Sequence, residues 1–294
     1  MSAVVTERLT LATGAAEAVI ALHGAEPLAW RVGGRDLLWS ADPAIWARTC
    51  PILFPVVGWA RGGEIRVDGQ GHAMGVHGFG ADLGFSLVDR TERTATLVAG
   101  DDEQTRSSYP FPFRLRVEYS LTGESLAAHF HVENTGRRDM PYALGFHPGF
   151  AWPFSAAGKA GHAVVFDRSE QASVPVITAG GLFSDERRAI PLEGKILHLT
   201  DEVLAREALC FLNARSSKAS FVGPDAATIS VETRDFPHLA IWSRPGAPFL
   251  SIESWTGHGD PEGFDGDIFE KPSMRILAPG VAAEHAVTLS FNAG

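Results

Sequence analysis

The sequence predicts an all-β protein, a large antiparallel β-sandwich with only a few short helices. Apolar and polar residues alternate at period two in one segment after another, as strands with one buried face do. Turn signals recur every ~8–12 residues, which implies roughly 15 to 20 strands, whereas helical periodicity is scarce. A two-sheet sandwich or a barrel therefore fits better than a small immunoglobulin-like module, and no internal repeat indicates a propeller.

In chain order, the first predicted hairpin turns at Gly33-Gly34. Residues 28–32 and 36–39 flank these glycines, which both accept the positive φ of a tight turn. The clearest hairpin spans residues 113–134 and turns at 122–124. Its alternating apolar residues predict one buried face, made of Phe113, Leu115, Val117, Tyr119, Leu121, Leu126, Ala128, Phe130 and Val132.

Three further elements are predicted in the second half of the chain. Thr200 can cap a short helix from residue 201 to about 207, whose acidic first turn suits the helix dipole. Residues 237–243 and 249–255 flank a loop with Pro and Gly and predict another hairpin. The last strand is predicted at 283–291, with alternation through His285, Val287, Leu289 and Phe291.

Composition and charge exclude several classes of protein. The chain is 45% hydrophobic and 20% charged, which argues against a disordered or collagen-like protein. A net charge of -10 without any basic run argues against nucleic-acid binding. No apolar stretch approaches the ~18 residues of a membrane span, and the N-terminus lacks secretion features. We therefore expect a soluble, cytoplasmic protein without a membrane partner.

Glycine, proline and cysteine usage bears on domain organisation. The 31 Gly and 18 Pro residues are scattered and mark no linker, so residues 1–294 are predicted to form a single domain. Cys50 and Cys210 are too few for a disulfide framework and lack partners at zinc-ligand spacing. Both are expected to be buried small hydrophobic residues.

Two patterns raise the question of a metal. His129 and His131 project from the same polar strand face, which Glu133 shares, but no later motif completes a cupin-like set. The acidic, Gly-rich residues 257–267 lack the alternation of an EF-hand calcium loop, so a surface loop is favoured. We predict no metal and no cofactor, with a cupin-like metal enzyme as an alternative.

Other titratable residues lie among aromatic residues, Gly and Pro in four segments, which are 51–61, 76–79, 144–150 and 249–255. Taken singly, His77 or His147 could be a hydrogen-bonded loop histidine, and Glu253 could be a paired carboxylate. A carboxylate in an otherwise apolar strand is costly to bury without partners, and histidine exchanges its proton near neutral pH. An acid and a base beside aromatic rings indicate a sugar site, since sugar C–H faces stack on rings.

In order and spacing, these motifs resemble the aldose 1-epimerase (galactose mutarotase) family, particularly its small bacterial LacX-type branch. The resemblance is spread over most of the chain, in His23-Gly-Ala-Glu26, Asp42-Pro-Ala-Ile-Trp46, Pro51-Ile-Leu-Phe-Pro55-Val-Val-Gly58, His77-Gly78-Phe79, Gly145-Phe-His147-Pro148, Asp235-Phe-Pro237 and Glu253-Ser-Trp255 to Asp265. It implies a galactose mutarotase-like supersandwich with an open sugar cleft.

The resemblance also implies the roles of single residues. His147 is similar to the histidine that acts as general acid at the ring oxygen, and Glu253 to the glutamate that acts as general base on the anomeric hydroxyl. His77 is similar to a second histidine that holds the ring oxygen or a neighbouring hydroxyl. Ring opening and closure by these proton transfers needs no cofactor.

The chain also departs from its relatives. Trp59 and Ala81 stand where relatives usually carry arginine, so Trp59 is expected to stack on the sugar and Arg61 to be a candidate for the missing charge. Glu207 lies nearest by pattern to the family's substrate-binding Asp, and Trp255 is counted with the binding residues.

The predicted function is a cofactor-independent isomerase of carbohydrate metabolism, a mutarotase that interconverts the α and β anomers of an aldose. The alternatives are a hexose-6-phosphate epimerase, which would want several converging arginines, and a non-catalytic carbohydrate-binding or sugar-sensing protein on the same fold. His147 together with Glu253 favours an enzyme, because binding alone needs neither acid nor base. The expected partner is a small-molecule sugar, and the chain is expected to be a monomer or homodimer.

Overall fold

The computed structural model describes residues 7–155 and 158–294. Its strands are β1 (Arg8–Ala12), β2 (Ala16–Ala21), β3 (Pro27–Val32), β4 (Arg35–Asp36), β5 (Ile52–Leu53), β6 (Glu64–Val67), β7 (Gln70–Ala73), β8 (Ser86–Arg90), β9 (Thr94–Gly100), β10 (Phe113–Leu121), β11 (Ser125–Asn134), β12 (Met140–Tyr142), β13 (Gly145–Phe146), β14 (Gly149–Ala151), β15 (Ala163–Phe166), β16 (Ser173–Ile177), β17 (Phe183–Ala189), β18 (Leu192–Glu193), β19 (Ile196–His198), β20 (Leu209–Phe211), β21 (Lys218–Val222), β22 (Thr228–Arg234), β23 (His238–Trp242), β24 (Phe249–Trp255), β25 (Arg275–Leu277) and β26 (Ala282–Asn292). The α-helices are α1 (Glu103–Ser108) and α2 (Asp201–Leu204), and short 3-10 helices span Arg61–Gly63 and Gly80–Asp82.

The strands form one large and several smaller antiparallel sheets. The ten-stranded sheet has the order β18-β19-β15-β21-β22-β26-β11-β10-β9-β8. A six-stranded sheet runs β20-β23-β24-β13-β5, with β14 also paired to β24, and β1 to β4 form a third sheet. The predicted all-β sandwich is confirmed. The predicted number of strands was too low, because strands of two or three residues such as β5 and β13 are too short to show an alternation.

A continuous apolar core joins these sheets. The predicted dry face of the β10–β11 hairpin is buried, and its register is Phe113 opposite Asn134. Phe130 on β11 contacts Phe146 on β13, with ring centroids 5.4 Å apart. Burial of each such ring contributes roughly 1.5–3 kcal/mol. Because Phe146 directly precedes His147, this contact anchors the first candidate site residue to the core.

The other predicted elements are found close to their expected positions. Gly33 and Gly34 have φ of +56° and +79° and connect β3 to β4, while β23 pairs with β24. Thr200 caps α2 by accepting a hydrogen bond from the Val203 amide at 3.2 Å. The helix ends at Leu204, earlier than predicted, so Glu207 lies beyond it. Helix α1 was not predicted, although the sequence contains the Asp102-x-x-Thr105 capping pattern with which it begins.

The histidine pair on β11 does not gather metal ligands. His129 is exposed, and His131 lies 3.6 Å from the carboxylates of both Glu118 and Glu284. Glu133 instead accepts a hydrogen bond from Arg114 at 2.6 Å. Within residues 7–155 and 158–294, no three His, Cys, Asp or Glu side chains are grouped as a metal site.

The acidic segment 257–267 corrects a prediction. Residues 257–260 are buried, so the predicted surface loop is wrong for this part. Burial is possible because Lys271 Nζ lies 2.7 Å from the Asp260 carboxylate and neutralises it. Cys50 and Cys210 are both buried, as predicted. None of the helices in the described parts of the chain is long and apolar enough to cross a membrane.

Candidate active site

A cleft of about 550 Å³ opens on one face of the six-stranded sheet. Strands β5, β20, β23 and β24 form its floor, and the β16–β17 hairpin forms part of its wall. Its tryptophans are Trp46, Trp59, Trp242 and Trp255, and its charged or titratable residues are Arg48, His77, Asp82, His147, Glu207, Cys210, Arg244 and Glu253. Aromatic walls with a few polar groups are typical of a small-molecule site.

Strand pairing brings His147 beside Glu253. In β24, period two places Ser251, Glu253 and Trp255 on the same face. His147 directly follows β13, which pairs with β24 with Gly145 opposite Trp255. His147 Nε2 lies 3.2 Å from Glu253 Oε1. Glu253 is only 2% exposed and His147 only 6%, so this contact is shielded from solvent.

Burial controls the charge of this pair. It raises the pKa of the Glu253 carboxyl, and the hydrogen bond that Trp255 Nε1 donates to Glu253 Oε2 at 3.0 Å opposes that rise. Burial also lowers the pKa of His147, and the nearby His77 lowers it further. At 3.2 Å the two facing atoms are close enough to exchange a proton. The raised pKa of Glu253 and the lowered pKa of His147 both favour a position of that proton on Glu253.

Aromatic rings fix the orientation of the His147 imidazole. The Trp46 ring lies 4.9 Å from it, tilted by 33°, and the Trp242 ring lies 5.6 Å from it, nearly perpendicular. The ring of His77 lies 5.8 Å from His147, also edge to face. Such packing leaves His147 little rotational freedom and directs Nε2 toward Glu253.

His77 is held as a neutral hydrogen-bond donor. Its Nδ1 accepts a hydrogen bond from the Gly58 amide at 3.1 Å, so the neutral ring carries its hydrogen on Nε2. Burial lowers the pKa of His77 to about 4. The next residue must be glycine, because a Cβ on Gly78, at φ +72°, would lie 2.3 Å from the Phe54 carbonyl oxygen. This tight turn brings His77 into the cleft.

Three other predicted site residues also line the cleft. Trp59 is 47% exposed and rests on Gly181 at the tip of the β16–β17 hairpin. Glu207 is exposed, and its backbone carbonyl accepts a hydrogen bond from Arg188 at 3.0 Å. Trp255 is buried and binds Glu253, so its polar edge holds the carboxylate.

Arg61 lies outside this cleft. Its amide donates to Asp260 Oδ2 at 2.8 Å, and its Nη1 lies 3.4 Å and 3.3 Å from the carbonyl oxygens of Gly263 and Phe264. It lines a separate cleft of about 410 Å³. The 3-10 turn Arg61–Gly63, in which Gly62 has φ +68°, directs the side chain away from Trp59.

Two arginines of the cleft, Arg48 and Arg244, were not predicted. Arg48 donates to the Ala81 carbonyl oxygen at 3.1 Å and forms ion pairs with Asp82 and, at 3.5 Å, with Glu26. Arg244 is exposed at the rim, in the turn between β23 and β24. The motif around Glu26 partly indicated Arg48, because a carboxylate that is buried needs a cation nearby. The sequence does not show which arginine supplies that cation.

Comparison with known proteins agrees with this geometry. The family profile described as aldose 1-epimerase matches residues 7–284. The chromosomal and plasmid forms of Protein LacX from Lactococcus lactis subsp. lactis are both 30% identical over 258 residues, which cover 84% of this chain and 86% of the relative.

Solved structures agree as well. A galactose mutarotase-like protein from Lactobacillus casei ATCC 334 superposes with a TM-score of 0.91 at 28% identity, covering 97% of this chain and 100% of that one. A galactose mutarotase related enzyme from Lactobacillus acidophilus gives 0.89 at 28% identity, covering 97% of each chain. The resemblance found in the sequence is confirmed, and the chain belongs to the aldose 1-epimerase family.

Proposed function

We propose that this protein is a cofactor-independent mutarotase that interconverts the α and β anomers of a free aldose. The observation that carries this proposal is the contact between His147 and Glu253, 3.2 Å apart and buried at the floor of an aromatic cleft. One proton shared between an acid and a base is what ring opening and closure requires. A protein that only binds sugars needs no such pair.

In the proposed mechanism, the sugar binds in the cleft next to both groups. The proton first passes from Glu253 to His147 Nε2. The ionised Glu253 then takes the proton from the anomeric hydroxyl, while His147 delivers its Nε2 proton to the ring oxygen. The bond between C1 and the ring oxygen breaks and leaves an open-chain aldehyde. After rotation about C1–C2, the ring closes on the opposite face of the aldehyde and both proton transfers reverse. The two residues return to their starting state.

Neighbouring residues would hold the sugar in place. His77 would donate from Nε2 to the ring oxygen or a nearby hydroxyl, because its Nδ1 is occupied by the Gly58 amide. The exposed indole of Trp59 offers a face for sugar C–H groups, and the Glu207 carboxylate can accept from hydroxyls. Arg61 has no part in this proposal, because its guanidinium lies in the neighbouring cleft.

The charges of the cleft favour a neutral sugar. Arg48 is flanked by the carboxylates of Glu26 and Asp82, which offset its charge. Arg244 is exposed at the rim and forms no ion pair with the described residues, and this unpaired charge supports a sugar phosphate as the second candidate. A single rim arginine offers less to a phosphate than several converging ones would.

Polarimetry or NMR of anomer equilibration tests the proposal. Pure anomers of a panel of free aldoses and their 6-phosphates are followed with and without protein, and sugar binding is measured in parallel by calorimetry. We expect accelerated equilibration of at least one free aldose. If a sugar binds tightly but equilibrates at its uncatalysed rate, the protein is a carbohydrate-binding protein instead. Acceleration restricted to the phosphates would select the second candidate.

A further inference from the structure

The hydroxyl of Ser251 lies at the ring nitrogen of His147 that does not face Glu253. Its Oγ is 2.8 Å from His147 Nδ1 and 2.8 Å from the carbonyl oxygen of Pro148. Ser251 is 0% exposed, so it cannot touch a sugar in the cleft. A hydroxyl has one hydrogen, whereas a carbonyl oxygen can only accept. The direction in which this hydroxyl donates its hydrogen therefore decides whether Nδ1 of His147 is a hydrogen-bond donor or an acceptor.

Two arrangements are possible, and they correspond to two tautomers of His147. If Ser251 donates to Pro148, its oxygen can only accept from Nδ1, so Nδ1 carries a hydrogen and Nε2 is free to gain or lose the mobile proton. If Ser251 donates to Nδ1, the neutral ring carries its hydrogen on Nε2. In that case the Pro148 carbonyl keeps only the longer bond from the Ile252 amide, at 3.3 Å.

The geometry favours the first arrangement. It satisfies the short contact to the Pro148 carbonyl and the contact to Nδ1 with a single hydroxyl. It also gives a protonated His147 an acceptor for its second N–H, which would otherwise be buried without a partner. Two other titratable groups face His147 and Glu253. They are His77, which directly precedes Gly78, and Cys210 on β20, whose raised pKa keeps it a neutral thiol.

We propose that Ser251 is a positioning residue that holds His147 in the tautomer with hydrogen on Nδ1, so that Nε2 carries the proton exchanged with the sugar. The proposal deepens the function proposed above and rests on it, since the exchanged proton is the one delivered to the ring oxygen. The contacts form a chain that runs from the Pro148 carbonyl through the Ser251 hydroxyl to His147 and Glu253. Its members lie on one face of β24 and in the segment after β13.

The tautomer is measured without any sugar. In protein with ¹⁵N-labelled histidine, long-range ¹H–¹⁵N correlation distinguishes hydrogen on Nδ1 from hydrogen on Nε2, and His147→Asn assigns the signal. We expect hydrogen on Nδ1 in the wild type and a mixture, or hydrogen on Nε2, in Ser251→Ala. A wild-type His147 with hydrogen on Nε2 overturns the inference, whatever the turnover. The expected tautomer without accelerated mutarotation would leave the role of Ser251 in setting the tautomer standing and contradict the proposed function.

Kinetics supply the second readout. Ser251→Ala should lower kcat by about 10- to 100-fold with little change in KM, as the loss of an outer partner of a functional histidine does. Ser251→Thr keeps the hydroxyl and should recover most of that loss. The matched control is Ser254→Ala on the same strand, because Ser254 is also 0% exposed and its Oγ has no hydrogen-bond partner among the described residues. Equal losses in the Ser251→Ala and Ser254→Ala variants would indicate general packing damage and contradict the proposal.

If Ser251→Ala does not fold, as judged by circular dichroism, the tautomer of the wild-type protein decides the question alone.

Discussion

Both oxygens of the Glu253 carboxyl group have buried neighbours. Oε1 faces His147 and Oε2 accepts from Trp255, so each oxygen of this carboxyl group in an apolar strand has one polar neighbour. A buried group of this kind is costly unless its partners stay in place. The same contacts that make Glu253 tolerable to the fold also aim it at the cleft.

Replacing either member of the pair should stop the chemistry and leave the fold. Glu253→Gln and His147→Asn keep the size and polarity of the side chains but remove the base or the acid. We expect each to lower the catalysed mutarotation rate by roughly 10²–10⁴-fold, measured by polarimetry. The exposed residues Glu124 and His129 provide matched controls, as Glu124→Gln and His129→Asn. Rates near that of the wild type in both site variants would contradict the assignment.

Trp59 should set the preference between neutral and phosphorylated sugars. Its indole offers an apolar face and no charge, and Arg61 is directed away from it. By calorimetry, the wild type should bind a neutral aldose more tightly than its 6-phosphate, and Trp59→Arg should shift that preference toward the phosphate. If the wild type binds the phosphate at least tenfold more tightly, about 1.4 kcal/mol, another cation such as Arg244 dominates the site.

At the scale of single elements, β24 shows why part of the site could be predicted. A polar residue in a strand with apolar neighbours is visible in the sequence, and period two then places Ser251, Glu253 and Trp255 on one face. The meaning of Ser251 was not visible, because its partners lie at positions 147 and 148, more than a hundred residues earlier. Local patterns report the face of a strand, but not which distant side chain meets it.

The two arginines at positions 48 and 61 illustrate the same limit. Arg61 stands two residues after Trp59, and its sequence position alone favoured a place in the site. The turn at Gly62 and the hydrogen bond to Asp260 carry it elsewhere. Arg48 reaches the cleft through contacts with Glu26 and Asp82, which are distant in sequence. Turn geometry determines where the Arg61 side chain lies, and long-range ion pairs determine where the Arg48 side chain lies. Neither feature produces a periodic pattern in the sequence.

The tip of the β16–β17 hairpin should control access to the sugar face of Trp59. Gly181 has φ +78°, and a Cβ there would lie 1.9 Å from Trp59 Cδ1, so Gly181→Ala must displace the indole. We expect a several-fold higher KM with a smaller change in kcat. Gly180→Ala is the matched control, since its Cβ would meet only Thr178 Oγ1, at 3.9 Å. Equal KM values in the two variants would show that the hairpin does not position Trp59.

Across the whole molecule, six of the eleven histidines have a pKa lowered by burial, which makes stability sensitive to acid. The clearest values are those of His77, about 4, and His238, about 3. Below the usual histidine pKa of 6.5 the unfolded chain binds protons that the folded chain does not, so folding becomes less favourable. The loss runs from about pH 6.5 down to the lowered pKa values.

Urea unfolding at a series of pH values measures this effect. The free energy of unfolding should fall steadily between pH 6.5 and pH 4, ahead of most carboxylate titration. Glu253, with its raised pKa, acts in the opposite direction but is a single group. His238→Gln should flatten the slope, whereas His129→Gln at an exposed position should not. A stability that stays constant from pH 7 to pH 4 would contradict the assigned shifts.

The distribution of tryptophan gives the molecule a built-in optical reporter. Of seven tryptophans, Trp46, Trp59, Trp242 and Trp255 line the one cleft, and Trp46 lies 4.9 Å from the His147 ring. A protonated imidazole at that distance withdraws electron density from an excited indole and quenches its emission. Intrinsic fluorescence should therefore follow both the arrival of a ligand and the position of the shared proton, without any label attached to the chain.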